Sequence, residues 1–139
     1  APQSTPYPSS RQDVVREVRD YLAQRVAAAE QAGIARDRIV VDPGFGFGKT
    51  VEHNLALLRS LAEFKSLGGA LLAGLSRKAM LGNLTGRVPQ ERVHASIAAA
   101  LLAVQNGAQI VRVHDVAATR DALAVWQAVK TGTRRQGLS

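Results

Sequence analysis

At 139 residues, 46% of them hydrophobic, the chain has the size of one ordinary globular domain with a real core. It lacks cysteine, which excludes disulfides, thiolate metal sites and thiol nucleophiles and is compatible with the cytoplasm, and no apolar run approaches the roughly 20 residues of a membrane span. The net charge of +7 raises nucleic-acid binding, but with only 4% aromatic residues and scattered arginines a pocket for anionic small molecules explains it equally well.

Ala1 to Ser10 holds three prolines among serine, threonine and glutamine and reads as a loop, with no signal peptide. Ala1 in place of methionine suggests a start within a longer protein. Ser10-Arg11-Gln12-Asp13 resembles a capping box with Ser10 as N-cap. Val14, Val18, Leu22 and Val26 then recur every fourth residue, one apolar helical face that Gly33 brings to an end. Arg38 to Asp42 is an apolar run ending in a carboxylate, a strand covered on both faces as in parallel sheets.

Pro43 and alternate glycines, Gly44, Gly46 and Gly48, lead to Lys49 and the next helix. The phosphate-binding P-loop pattern fails because Pro43 stands where its first glycine belongs, and the dinucleotide fingerprint fails at its third glycine. A second helical face carries Leu55, Leu58, Leu61, Ala62 and Phe64 and runs to Gly68-Gly69. Ala70 to Leu75 forms a second strand that ends at Ser76-Arg77-Lys78.

Ala79 to Arg87 reads as a connection to a third helix with Pro89 near its first turn and Val93, Ile97, Leu101 and Val104 as its core face. A third strand, Gln109 to Asp115, precedes a last helix with Ala118, Ala122, Val125, Trp126 and Val129 at helical spacing, and Lys130 to Ser139 is a solvated tail. Strands separated by crossover helices mean a parallel α/β sheet in one domain.

Each strand ends in polar residues: Asp42, then Ser76, Arg77 and Lys78, then Arg112, Val113, His114 and Asp115. Parallel strand ends open on one face, so these residues can converge. Arg112 interrupts an apolar run, and a charge in a buried strand needs a partner. Taken singly, Asp42 also fits a turn cap, Arg77 and Lys78 a solvated loop, and His114 a structural histidine. Together, a carboxylate, a lysine, two arginines and a histidine suit an anionic substrate with a polar ring. No nucleophile-base pair stands out, and no metal-ligand cluster does, because His53, His94 and His114 lie in different local contexts. A non-catalytic α/β module that binds a phosphate-bearing ligand is the alternative.

Asp42-Pro43-Gly44-Phe45-Gly46-Phe47-Gly48-Lys49, Ser76-Arg77-Lys78 and Arg112-Val113-His114-Asp115, in this order, resemble the carboxyl-terminal part of the bacterial dihydropteroate synthases. The resemblance implies the last units of a TIM (β/α)8 barrel, incomplete in this chain. It implies the condensation of 4-aminobenzoate with a dihydropterin methyl diphosphate in folate biosynthesis, the reaction sulfonamides target. Asp42 is then expected on the pterin, Lys78 between pterin and aminobenzoate, Phe47 on the aminobenzoate side, and Arg112 and His114 on the diphosphate. Lys78, Arg112 and His114 are the expected catalytic residues, with Ser76, Arg77 and Val113 beside them in the binding surface. Magnesium is expected with the diphosphate, its protein ligand lying outside this chain. The 139 residues are expected to be inactive alone and to associate as a homodimer or with the amino-terminal half of the barrel.

Overall fold

The computed structural model describes residues 11–46 and 48–132. Helix α1 (Arg11–Gln31) is followed by a 3-10 turn (Arg36–Arg38), strand β1 (Val40–Val41), helix α2 (Val51–Arg59) and a 3-10 segment (Leu61–Leu67). Strand β2 (Ala70–Ala73), helix α3 (Ala79–Thr85) and a 3-10 turn (Pro89–Glu91) come next. Helix α4 (Val93–Gln105), strand β3 (Ile110–Val111) and helix α5 (Val116–Thr131) complete the order. The strands are parallel and adjacent in the order β1-β2-β3, with Val40 opposite Ala70 and Leu72 opposite Ile110.

Helix α1 ends as its glycine requires. Gly33 adopts φ +99°, the Ile34 N–H donates to the Ala29 carbonyl, and the Gly33 N–H donates to that of Glu30, which is the Schellman arrangement. Val14, Val18 and Val26 are buried and Leu22 packs against them, so the four-residue apolar spacing does define the inner face. The expected cap at Ser10 lies outside the described residues. The largest fully buried side chains are Phe45, Phe64, Leu57, Leu61, Leu71 and Val14, which places the core between β1-β2 and the helices α1 and α2.

Several expected features differ. The second helical face does not run unbroken to Gly68, because α2 stops at Arg59 and the chain tightens into a 3-10 segment. With three residues per turn, Leu61, Phe64 and Leu67 line up and are buried, while Ala62 is turned outward. The connection from Ala79 contains α3, seven residues long and too short to show a periodicity. Pro89 opens a separate turn, and α4 begins only at Val93.

The buried face of α4 is Ser96, Ala99, Ala100 and Ala103, while Val93, Ile97, Leu101 and Val104 are only half-buried. Small side chains let this helix lie close to its neighbours, and the bulkier residues take its flanks. On α5, Val125 and Val129 are exposed, and Thr119 is the buried residue. Trp126 is half-buried, with the Lys130 ammonium 4.8 Å from its ring centroid.

The strands are shorter than expected, and neither β1 nor β3 is covered on both faces: Val40 is 50% and Ile110 39% exposed. Arg112 accordingly lies at an open strand end and not inside a buried strand. No helix among the described residues is long and apolar enough to cross a membrane.

This packing predicts that Phe64→Ala costs about 3–5 kcal/mol in denaturant unfolding. Val129→Ala, at a position 80% exposed, stays within about 0.5 kcal/mol of the parent.

Candidate functional site

The carboxyl ends of the three strands open on one face and carry Asp42, the Ser76-Arg77-Lys78 turn and the Arg112 to Asp115 segment. Asp42 follows β1 directly. Its Oδ1 accepts from the Gly44 N–H at 2.9 Å, fixing the first turn of the glycine loop, and its Oδ2 lies 3.5 Å from Nη1 of Arg112. That second contact is long and its side chains are 35% and 58% exposed, so it contributes at most about 1 kcal/mol and leaves both groups open to a ligand. Arg112 lies across Gly74 of the neighbouring chain segment, where a Cβ would overlap its guanidinium.

The glycine loop has φ of +76°, +97° and +77° at Gly44, Gly46 and Gly48, a backbone course open to glycine and costly for other residues. It brings two carbonyls to two ammonium groups: Lys49 Nζ donates to Gly44 O at 2.8 Å and Lys78 Nζ to Phe45 O at 2.7 Å. Buried Asn54 holds the loop from below, accepting from the Gly46 N–H at 2.9 Å and donating to Thr50 O at 3.0 Å. Thr50 is the N-cap of α2 and forms a reciprocal capping box with His53. Buried His53 thus has a structural task. Phe47 lies outside the described residues.

Ser76, at the end of the segment that continues β2, is buried. Its Oγ is 2.7 Å from Nδ1 of His114 and accepts from the His114 backbone N–H at 3.1 Å. The oxygen keeps one lone pair and its own proton, so it can accept from Nδ1–H or donate to a bare Nδ1; in the second tautomer the ring proton sits on Nε2, where it can donate to a ligand. Sequence reading saw no nucleophile-base pair, and the structure supplies a serine-histidine contact across 38 residues. The buried, doubly engaged hydroxyl orients the ring and is not presented for attack. Arg77 donates to Asp115 Oδ1 at 3.0 Å, and Val113 is half-buried beside them.

Lys49 and Lys78 are both held below the ordinary lysine value of 10.5. Burial is the main cause for each; the Lys78 charge depresses Lys49 further, Arg112 depresses Lys78, and Asp42 opposes both shifts. A depressed pKa means the charged form is disfavoured by folding. The cost is full at neutral pH and is relieved as pH rises through the depressed values towards 10.5.

A cleft of about 320 Å3 opens beside the loop, lined among others by Gly46, Lys49, Asn54, Lys78 and Asn83. A larger one, about 660 Å3, lies among α1, α2 and the following 3-10 segment, away from the strand ends, and has no part in this constellation. Among the described residues no three His, Cys, Asp or Glu side chains gather as a metal site.

Lys49 and Asn54 join the site beyond the residues expected from sequence, and their signals are a basic residue five positions after the first loop glycine and an amide four after the N-cap. Arg92 and Ser96, which bond the backbone of Arg77, join it with no local pattern to mark them.

The pterin binding enzyme family matches residues 1–114, ending at His114. The chain belongs to the pterin-binding enzymes. Within that family it is 57% identical over 122 residues to the dihydropteroate synthase of Neisseria meningitidis serogroup B, covering 85% of this chain and 43% of that protein. Dihydropteroate synthase of Xanthomonas albilineans with 4-aminobenzoic acid superposes with a TM-score of 0.87 at 53% identity, covering 94% of this chain and 48% of that one. The same enzyme in complex with 7,8-dihydropteroate gives a TM-score of 0.85 at 54% identity, covering 91% and 49%. The chain therefore spans just under half the length of these family members, and its parallel α/β units are part of their TIM-barrel fold.

Titration of the Lys49 and Lys78 Cε carbon shifts should give midpoints below 10.5. Asp42→Asn should lower both further, and Lys78→Met should move Lys49 back towards 10.5.

Proposed function

We propose that this chain carries the strand-end part of a dihydropteroate synthase site, which joins 4-aminobenzoate to 7,8-dihydropterin-6-ylmethyl diphosphate and releases diphosphate. The observation that carries the reading is the convergence of Asp42, Lys78, Arg112 and His114 on one face of a chain so similar to enzymes of that name.

In this reading Asp42 accepts paired N–H donors of the pterin ring, a charge-assisted contact that fixes the ring plane. Lys78 leaves Phe45 O to reach between the two substrates. Arg112 and the Nε2–H of His114 bind diphosphate oxygens, and Ser76 orients that ring. The methylene C–O bond breaks as negative charge grows on the departing diphosphate, where Arg112 and His114 stabilise it. The aminobenzoate nitrogen forms the new C–N bond and gives up a proton to solvent water. Catalysis is positioning plus charge stabilisation. Phe47 is assigned to the aminobenzoate side, which sulfonamides would compete for. Arg77 and Val113 flank the binding surface, Arg77 as a scaffold whose side chain is engaged by Asp115 and whose backbone is held by Ser96 and Arg92.

Magnesium belongs with the diphosphate in this scheme, whose oxygens and water ligate it readily, and its protein ligand is assigned to the part of the enzyme outside this chain. No step is routed through it. The open sides of β1 and β3 take the rest of the barrel or a second copy of the chain, and the setting is the cytoplasm.

The test is dihydropteroate formation by the chain alone and when co-expressed with the part of the Neisseria enzyme outside the match. Turnover only in the second case is expected, whereas no turnover in either, with tight pterin diphosphate binding, would leave a non-catalytic binding module. Asp42→Asn should weaken pterin binding roughly 10- to 100-fold, the scale of one hydrogen bond to a charged group, as read by calorimetry.

A further inference from the structure

We infer that Arg92 and Ser96, one turn apart at the start of α4, are positioning residues: they clamp the Ser76-Arg77-Lys78 turn and so set the Ser76–His114 contact. Its meaning for catalysis rests on the dihydropteroate reading; the clamp itself does not.

Arg77 has φ +57°, the left-handed region, which a residue with a Cβ occupies only where its surroundings hold it there. Here both peptide groups of that residue are held from α4. The Arg77 N–H donates to Ser96 Oγ at 2.9 Å, and the Arg77 carbonyl accepts from Arg92 Nη1 at 2.7 Å. Ser96 is 5% exposed, so it is a buried polar residue on a face otherwise made of alanines.

Arg92 is itself fixed. Its Nε donates to Arg87 O at 2.8 Å, and its guanidinium lies over Gly82, where a Cβ would overlap it. A planar fork that serves two carbonyls is a task for arginine, and lysine keeps the charge and donors but not the fixed fork geometry. The Arg77 side chain ties the same turn to the β3 end through Asp115.

The clamped residue stands between two site groups. Ser76, on one side, orients His114, and Lys78, on the other, donates to the glycine loop. A left-handed residue between them fixes their relative directions, and relaxation to right-handed or extended backbone would swing Ser76 Oγ and Lys78 Nζ apart. Arg92 and Ser96 have no hydrogen bond to His114 among the described residues, so an effect of either on that ring must pass through the turn.

The experiment records ring 15N spectra and amide exchange on the full chain and its Arg92→Met, Arg92→Lys and Ser96→Ala variants. Arg92→Met and Ser96→Ala are expected to shift the His114 ring signals away from those of the serine-bonded ring. They are also expected to speed exchange at the Arg77 and Lys78 amides roughly tenfold, with His53 unchanged as the internal reference. Arg92→Lys should recover part of both effects. Should Arg92→Met fail to fold, Ser96→Ala and Arg92→Lys decide. Folded variants with unaltered His114 signals would overturn the clamp.

In an assembly that forms dihydropteroate, the same variants should lower kcat roughly 10- to 100-fold, the scale of about 1 Å of misplacement, with KM for 4-aminobenzoate little changed. Unchanged kcat beside shifted His114 signals would overturn the catalytic consequence. Absence of turnover in the parent assembly counts against the proposed reaction and leaves the spectroscopic test standing.

Discussion

Asp42 is the carboxylate that opposes the accumulation of positive charge on both lysines and Arg112 at the strand-end face. Lys49, Lys78 and Arg112 are brought to one opening, where partial burial and mutual repulsion disfavour every added positive charge. One carboxylate opposes that repulsion on both lysines, and its ion pair with Arg112 is loose enough to be exchanged. The remaining compensation comes from backbone: the Gly44 and Phe45 carbonyls turned towards the ammonium groups by the glycine loop. A substrate that carries a diphosphate at one end and ring N–H donors at the other would answer both signs at once.

The fold serves this balance by placing each group at a strand end and by keeping the strands' own share small. Pairing in β1 and β3 covers only two residues each, so the geometry past them is set by side chain-to-backbone bonds: Asn54 to the loop, Ser76 to His114, and Ser96 and Arg92 to Arg77. The helices supply these bonds as well as burying apolar surface. Helix α4 shows the division of labour, with alanines giving close approach and a serine meeting a backbone N–H.

The polar strand ends, the glycine loop and the crossover order were all legible in the sequence, because each depends on residues that are neighbours in the chain. What escaped reading depended on distance or on scale. The Ser76–His114 contact joins residues that follow different strands, and no local pattern announces it. The four-residue spacing of Val93, Ile97 and Leu101 marked the half-buried flank of α4 instead of its buried centre, since periodicity marks bulk and this helix buries its small residues. Ala62 was misplaced for a different reason: the period itself changed from that of an α-helix to that of a 3-10 helix at Ser60. Val125 and Val129 were expected on a core face of α5, and the described packing leaves both in the open.

Gly74 carries a wider lesson about which positions of such a site can drift. The Arg112 guanidinium rests in the space a side chain would fill, and the glycine offers nothing that could be counted as a bond. Its worth lies in vacancy, so even alanine, the mildest of replacements elsewhere, would oblige the guanidinium to shift from its present course. Gly82 beneath Arg92 is of the same kind. In this architecture the least conspicuous residues set the reach of the longest ones.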